Sequence, residues 1–202
     1  MTSLRHNSDE APAREPRDAY LDAARACILD VGWKRTTLTE VARRAGVSRM
    51  TIYRTWSDMP QLLGDLMTRE WAGVVNAQVA ADEGKPAIAR IADGIVGTVR
   101  ALRENELFVR IVEVDPELIP PYLFSRRGRS QELILAVTTR AIEDGQRRGE
   151  IRNETAVGIA RALLLAAHGF VLSAHTMVDD QVVLEELDAE LALMISRTLE
   201  RP

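Results

Sequence analysis

Arg49, Met50, Tyr53 and Arg54 carry the most legible chemistry of this chain, because at spacings of i, i+1, i+4 and i+5 they share one face of a helix. Ile52 and Trp56, four apart, form the opposite, inward stripe. The outward face offers guanidinium groups, a phenol and a thioether, which suit phosphate oxygens and base edges better than bond-making. The surroundings share that character. Between residues 17 and 56, Arg17, Arg25, Lys34, Arg35, Arg43, Arg44, Arg49 and Arg54 stand against Asp18, Asp22, Asp30 and Glu40, a local balance of +4 in a chain of net charge −4. A cationic surface on an acidic body suits a polyanion that meets one part of the molecule only.

Enzyme chemistry is poorly represented. The chain has no Gly-rich phosphate loop, His-Glu-x-x-His pair or nucleophile elbow. Cys27 sits beside the core position Ile28 and reads as a small hydrophobe. The histidines His6, His168 and His175 make no metal cluster unless subunits share one, so neither a metal nor a resident cofactor is expected. With Cys27 as the single cysteine, a disulfide scaffold is excluded and a reducing cytoplasm is the expected compartment. The polar stretch from Met1 to Arg17 and the absence of a later run of ~18 uncharged apolar residues predict neither export nor a membrane span. Two rivals to a nucleic-acid reader remain: a helical protein-interaction module without DNA binding, and an all-helical enzyme.

A second group of residues could contact a small molecule. Met67, Trp71, Phe108, Glu113, Tyr122, His168, Phe170 and His175 are polar, aromatic or polarisable side chains on otherwise apolar helices. His168 and His175, seven apart, share a helix face, and Glu113 would suit a cationic ligand. The bland reading is hydrogen-bonded core histidines and a solvated carboxylate. An aromatic content of 4% argues against a broad aromatic-lined pocket.

The elements that must position these groups are all helical, since apolar residues recur at three and four rather than alternating. A first helix from Pro16 to Val31 places Leu21, Ala24, Ile28 and Val31 inward and ends before Gly32. Thr37 and Glu40 form a capping box opening a second helix, with Leu38, Val41, Ala42 and Ala45 inward and Gly46 as its stop. Ser48 caps a third helix through Trp56. Two short helices joined by a tight Gly-containing turn are the layout of a helix-turn-helix, here about 37–56, whose second helix can enter a major groove.

After 58 the periodicity predicts helices from Asp58 to about Ala81, Pro86 to about Arg103 and Glu106 to about Val114. A proline-punctuated link through Pro116, Pro120 and Pro121 follows, then a helix from about Ser125 to Arg148. A helix from Asn153 or Thr155 to about Val178 is apolar nearly all round, and the last, from about Gln181 to Leu199, carries Leu184, Leu187, Leu191 and Ile195 on one stripe. The organisation predicted is a disordered arm (1–15), a three-helix DNA-binding domain (16–57) and a helical bundle for regulation and dimerisation (58–202).

The run from Gly32-Trp33-Lys34-Arg35-Thr36-Thr37 through Ala45-Gly46-Val47-Ser48 to Thr51-Ile52-Tyr53-Arg54-Thr55-Trp56 resembles the DNA-binding region of the TetR family of transcriptional regulators, over about Pro16 to Leu66. Gly149-Glu150-Ile151-Arg152 before a long apolar helix is similar to the end of the family's regulatory domain pattern. The resemblance implies phosphate contacts from Thr37, Thr51 and Tyr53, and groove contacts from Arg49, Met50 and Arg54, with Ser48 capping the reading helix and Arg44 able to add a backbone contact. Met59 stands where many members carry a phosphate-binding Lys. The resemblance also implies a repressor of palindromic double-stranded operators, relieved by a small-molecule effector bound between the later helices. Two near-terminal helices, about 155–178 and 181–199, would pair with those of a second copy, and such a dimer sets its reading helices about one DNA turn, ~34 Å, apart. Arginine supplies all basic residues but Lys34 and Lys85, which fits a high-GC bacterial source.

Overall fold

The computed structural model describes residues 15–80 and 84–201, with the backbone alone for 76–80, and the chain divides into compact units at Leu62/Leu63. All but Glu15 of the predicted N-terminal arm, with Arg5, His6 and Arg14, lies outside the described residues. Every regular element among those described is helical.

In the first unit, α1 (Pro16–Val31) begins with a proline, whose missing amide costs nothing in a first turn, and ends at Gly32, which takes φ 83° and donates to the Ile28 carbonyl at 2.9 Å. α2 (Leu38–Arg44) is capped by Thr37, whose hydroxyl accepts the Glu40 amide at 3.2 Å. The expected capping box is half made, since the Glu40 carboxylate is engaged by Arg43 at 2.6 and 2.9 Å. Gly46 at φ 67° turns the chain, and the Val47 amide donates back to Ala42 at 3.0 Å. α3 (Arg49–Thr55) is capped by Ser48, which accepts the Thr51 amide at 3.1 Å. Leu21, Ala24, Ile28, Leu38, Val41, Ala42, Ile52 and Trp56 are all buried in the unit's core. Val31, expected on the inward stripe of α1, is instead 40% exposed, standing at the last position of the helix before Gly32.

α4 (Met59–Ala80) opens with the Asp58 carboxylate accepting the Gln61 amide at 2.8 Å. The second unit continues with α5 (Ala87–Glu104), α6 (Glu106–Val114), α7 (Pro120–Phe124), α8 (Arg129–Arg147), α9 (Ala156–Ser173) and α10 (Leu184–Leu199). The proline-rich link is more ordered than predicted: Pro116–Leu118 forms a 3-10 turn and Pro120 starts α7, since proline is tolerated in a first turn. α8 accordingly begins at Arg129 rather than near Ser125. Gly128 is its N-cap residue, its amide donating to the side-chain Oε1 of Gln131 at 2.7 Å. α9 ends at Ser173 and passes into a 3-10 turn, Ala174–Met177.

α5 is central, packing on α8, α9 and α10. Its Ile91, Ala92, Val96 and Val99 join Leu135 and Ile142 of α8, Ile159, Ala160 and Leu163 of α9, and Leu191, Ile195 and Leu199 of α10 in one core. Asp188 of α10, 3% exposed, is held by Arg100 and Arg103 of α5, each at 2.7 Å, so the buried charge is paired. The stretch Ala156–Met177 is long and apolar enough by composition to cross a membrane, with mean hydropathy 1.7. Ile159, Ala160 and Leu163 within it are buried in the bundle core, but only 28% of that apolar window is buried.

Candidate nucleic-acid interface and effector cavity

On α3 the alternation of burial is sharp. Ile52 is fully buried, while Met50 is 70% and Tyr53 50% exposed, and Arg49 and Arg54 are exposed beside them. The face is held from behind by Trp56, which meets the Tyr20 ring edge-on at 6.4 Å and carries the Arg17 guanidinium 5.8 Å above its own ring. Neither Tyr20 nor Arg17 was assigned that role from sequence, since the contact spans α1 to the end of α3.

Salt bridges sort the remaining cations. Arg43 is committed to Glu40, which holds that carboxyl below its ordinary pKa chiefly through the hydrogen bond, and Arg44 is committed to Asp30. Among the described residues, Arg49 and Arg54 are held by no such ion pair. Thr37 is exposed at the start of α2, its oxygen accepting the Glu40 amide while its hydroxyl proton remains able to donate outward. Thr51 is half-buried, within 2.9 Å of the Ser48 hydroxyl. Met59 opens α4, half-buried. Cys27 is 2% exposed, and burial raises its thiol pKa, opposite to the activation a nucleophile needs.

The second unit contains a cavity of about 630 Å³, within the range of small-molecule sites. Of the residues singled out in the sequence, Met67, Trp71, Phe108, Tyr122 and His168 line it. Trp71 and Phe108 meet edge-to-face at 5.8 Å. Glu113, Phe170 and His175 do not line it. Glu113 lies on the exposed side of α6; His175 is exposed in the 3-10 turn, where the helical register shared with His168 has ended; Phe170 packs against the core. Most of the wall is aliphatic, from Ile91 and Ile95 to Leu163 and Val171, and type alone does not separate such residues from ordinary core.

Gln131, also unassigned from sequence, organises the polar end. Its carbonyl oxygen accepts the Gly128 amide, so its amide nitrogen faces the Tyr122 carbonyl and His168 Nε2, both at 3.3 Å. That nitrogen only donates, so His168 Nε2 accepts and its proton sits on Nδ1. Burial lowers the His168 pKa below 6.5, favouring the same neutral form. A histidine depressed in the folded state contributes stability that is present above its unfolded pKa of about 6.5 and is lost as pH falls through the lower folded value. Between about pH 7 and pH 5, the melting temperature of the unaltered protein is expected to fall more than that of His168→Gln. Parallel curves in paired thermal scans would contradict this.

Residues 21–66 match the model of the tetR family of bacterial regulatory proteins. The chain is 31% identical over 170 residues to an uncharacterized HTH-type transcriptional regulator, Rv2250c, of Mycobacterium tuberculosis (strain ATCC 25618 / H37Rv), covering 83% of this chain and 87% of that protein. Among solved structures, the fold resembles the TetR family repressor AlkX from Dietzia sp. strain DQ12-45-1b, with TM-score 0.66, 20% identity and coverage of 93% of this chain and 96% of that one. It also resembles RolR in complex with resorcinol, with TM-score 0.66, 17% identity and coverage of 92% and 87%.

Proposed function

Because this chain belongs to the TetR family of DNA-binding transcriptional regulators, we propose that it is a cytoplasmic, ligand-responsive repressor that binds a palindromic operator as a homodimer. The observation that carries the reading is the α3 face, where Arg49, Met50, Tyr53 and Arg54 stand exposed on a helix anchored by Ile52 and Trp56. Arg49 and Arg54 read base edges, and Met50 makes an apolar contact of the kind a thymine methyl accepts. Thr37, Thr51 and Tyr53 contact phosphates and set the register, with Ser48 capping the helix. Arg44, paired with Asp30 through one nitrogen, keeps further guanidinium N–H groups with which to add a phosphate contact. Selection from a random duplex DNA pool at fixed salt tests the proposal: an enriched palindrome is expected, and no enrichment at low salt from a folded dimer would overturn it.

Two exposed apolar positions support the dimer. Leu165 of α9 is 72% exposed and Met194 of α10 51%, on the two helices whose other faces are buried in the bundle. Pairing α9 and α10 with their symmetry copies covers both. A Leu165→Glu, Met194→Glu variant is expected to sediment as a monomer and to lose binding to a full palindrome, while the melting of its bundle persists. A dimer of unchanged mass would refute this interface.

The effector enters the cavity of the second unit, which supports a binding equilibrium rather than a chemical step. α4 contributes Leu63, Met67, Trp71 and Val75 to the wall, and it begins at Met59, close after Trp56 in sequence. Occupancy that shifts α4 alters operator affinity; a coupling of about 1–3 kcal/mol corresponds to about 5- to 150-fold. RolR, in which resorcinol is bound, supports a small-molecule occupant for this fold.

A further inference from the structure

The charges that line the cavity say what kind of molecule it takes, an inference that rests on its reading as the effector site. Among the described residues, Arg90, Arg129, Arg140 and Arg148 line it together with one acid, Asp144. Three of these five are already answered: Arg129 pairs with Asp65, Arg148 with Glu150 at 2.6 Å, and Asp144 with Arg147. Arg90 and Arg140 are held, among the described residues, by no ion pair or hydrogen bond. The Arg90 charge acts on Glu150 from a distance, that carboxylate being bonded to the Ala87 amide and to Arg148. Glu143, one turn on from Arg140, neither pairs with it nor lines the cavity.

The two free guanidinium groups belong to one end of the cavity. Gly145 of α8 packs so closely on Ala87 of α5 that a Cβ added to the glycine would stand 3.0 Å from the Ala87 Cβ. The Ala87 amide also donates to the carboxylate of Glu150, just past α8, at 2.5 Å. The first turn of α5 therefore crosses the last turns of α8. Arg90 lies three residues from that crossing and Arg140 five, which at ~1.5 Å rise per residue keeps both within about 8 Å of it along their helices. Arg90 is half-buried and Arg140 exposed, so the pair stands where the cavity meets solvent. Beside them the wall is aliphatic, with Ile91 and Ile95 from α5 and Val137 and Ala141 from α8. An ammonium entering here loses its hydration beside two like charges, and its one acidic neighbour is already held by Arg147. An alcohol leaves both guanidinium groups without a counter-charge. A carboxylate exchanges its hydration for the planar N–H fork of arginine, whose geometry it matches with two parallel hydrogen bonds.

We propose that the cavity takes an organic anion, a carboxylate on an apolar body, with Arg90 and Arg140 holding the carboxylate and the aliphatic wall holding the body. The full-length protein is loaded with the neutral apolar dye N-phenyl-1-naphthylamine and titrated at neutral pH and low salt with decanoate, decanol and decylammonium. Their common flexible chain leaves the head group as the variable. Decanoate is expected to displace the dye at about tenfold lower concentration than decanol, the difference between hydrogen bonds to charged and to neutral groups. Decylammonium is expected to be the weakest of the three. In Arg90→Gln, Arg140→Gln the preference for decanoate over decanol is expected to vanish, so the ratio of the two midpoints is the readout. Decanol or decylammonium equal to decanoate overturns the proposal, as does a preference that survives the double substitution. Should that variant not fold, Arg90→Gln and Arg140→Gln singly are each expected to narrow the ratio, and an unchanged ratio in both overturns the proposal. Decanoate that binds in the expected order yet leaves operator affinity unchanged supports the anion site while counting against its effector role. Dye binding that Ala141→Phe blocks, with decanol ahead of decanoate, overturns the anionic class while leaving the effector cavity standing. Failure of the dye to bind the unaltered protein at all counts against the cavity reading itself and the proposal with it.

Discussion

An Arg49→Ala, Tyr53→Ala variant is expected to lose affinity for the selected operator by about 100-fold or more, with its melting temperature nearly unchanged. A bidentate arginine–guanine contact is worth about 1–3 kcal/mol, and a phenol donating to a charged phosphate about 1.5–3 kcal/mol. Even the lower ends together approach a factor of about 100, and a palindrome uses each contact twice. Both side chains are exposed, so their removal leaves the core of Ile52 and Trp56 intact. The single substitutions separate the roles. Tyr53→Phe weakens binding evenly across operator variants and keeps their ranking, whereas Arg49→Ala changes the ranking at the base pair it reads. Anisotropy titrations against the selected palindrome and its point variants measure both effects. Undiminished affinity in the double variant would mean that recognition does not run through α3.

How far this arrangement could be read from the residues depended on whether the signal was local. Pro16 and Gly32 bracket α1, and Thr37 and Ser48 cap α2 and α3, because each acts on backbone groups within a few positions of itself. Local rules misled where two of them competed. Pro120 and Pro121 read as breakers of helix, yet proline at a helix start is permitted, and α7 forms there and delays α8 to Arg129. The cavity was legible only through its unusual members. Trp71, Phe108, Tyr122 and His168 stood out by type, whereas Ile95 and Val99 carry the same helical period as any core residue. Gln131 was invisible for another reason: its meaning depends on His168, 37 residues away, and on the amide of Gly128. Spacing alone also misplaced His175, since the periodicity linking it to His168 holds only while α9 remains an α-helix, and α9 ends at Ser173.

Trp56→Ala is expected to destabilise the DNA-reading unit by about 3–5 kcal/mol, the cost of deleting a fully buried aromatic side chain. Trp56 is 1% exposed and ends α3, with the Tyr20 ring edge-on to its indole and the Arg17 guanidinium stacked over it. Its loss removes the contact that ties the end of the reading helix to the first turns of α1. A unit this small has little reserve, since even a domain of about 60 residues buries only about 60% of its extended surface, and whole domains are stable by only about 5–15 kcal/mol. The core of the second unit, from Ile91 to Leu199, contains no part of Trp56, so its melting is expected to persist. A circular-dichroism melt of the variant should therefore show an early partial loss of helix followed by a later transition near that of the unaltered protein. Operator binding is expected to disappear at 37 °C while the second unit stays folded. Trp56→Phe retains a ring for Tyr20 and Arg17 and is expected to fall between the two. A single transition for Trp56→Ala coinciding with that of the unaltered protein would show that the indole is not what holds α3 in place.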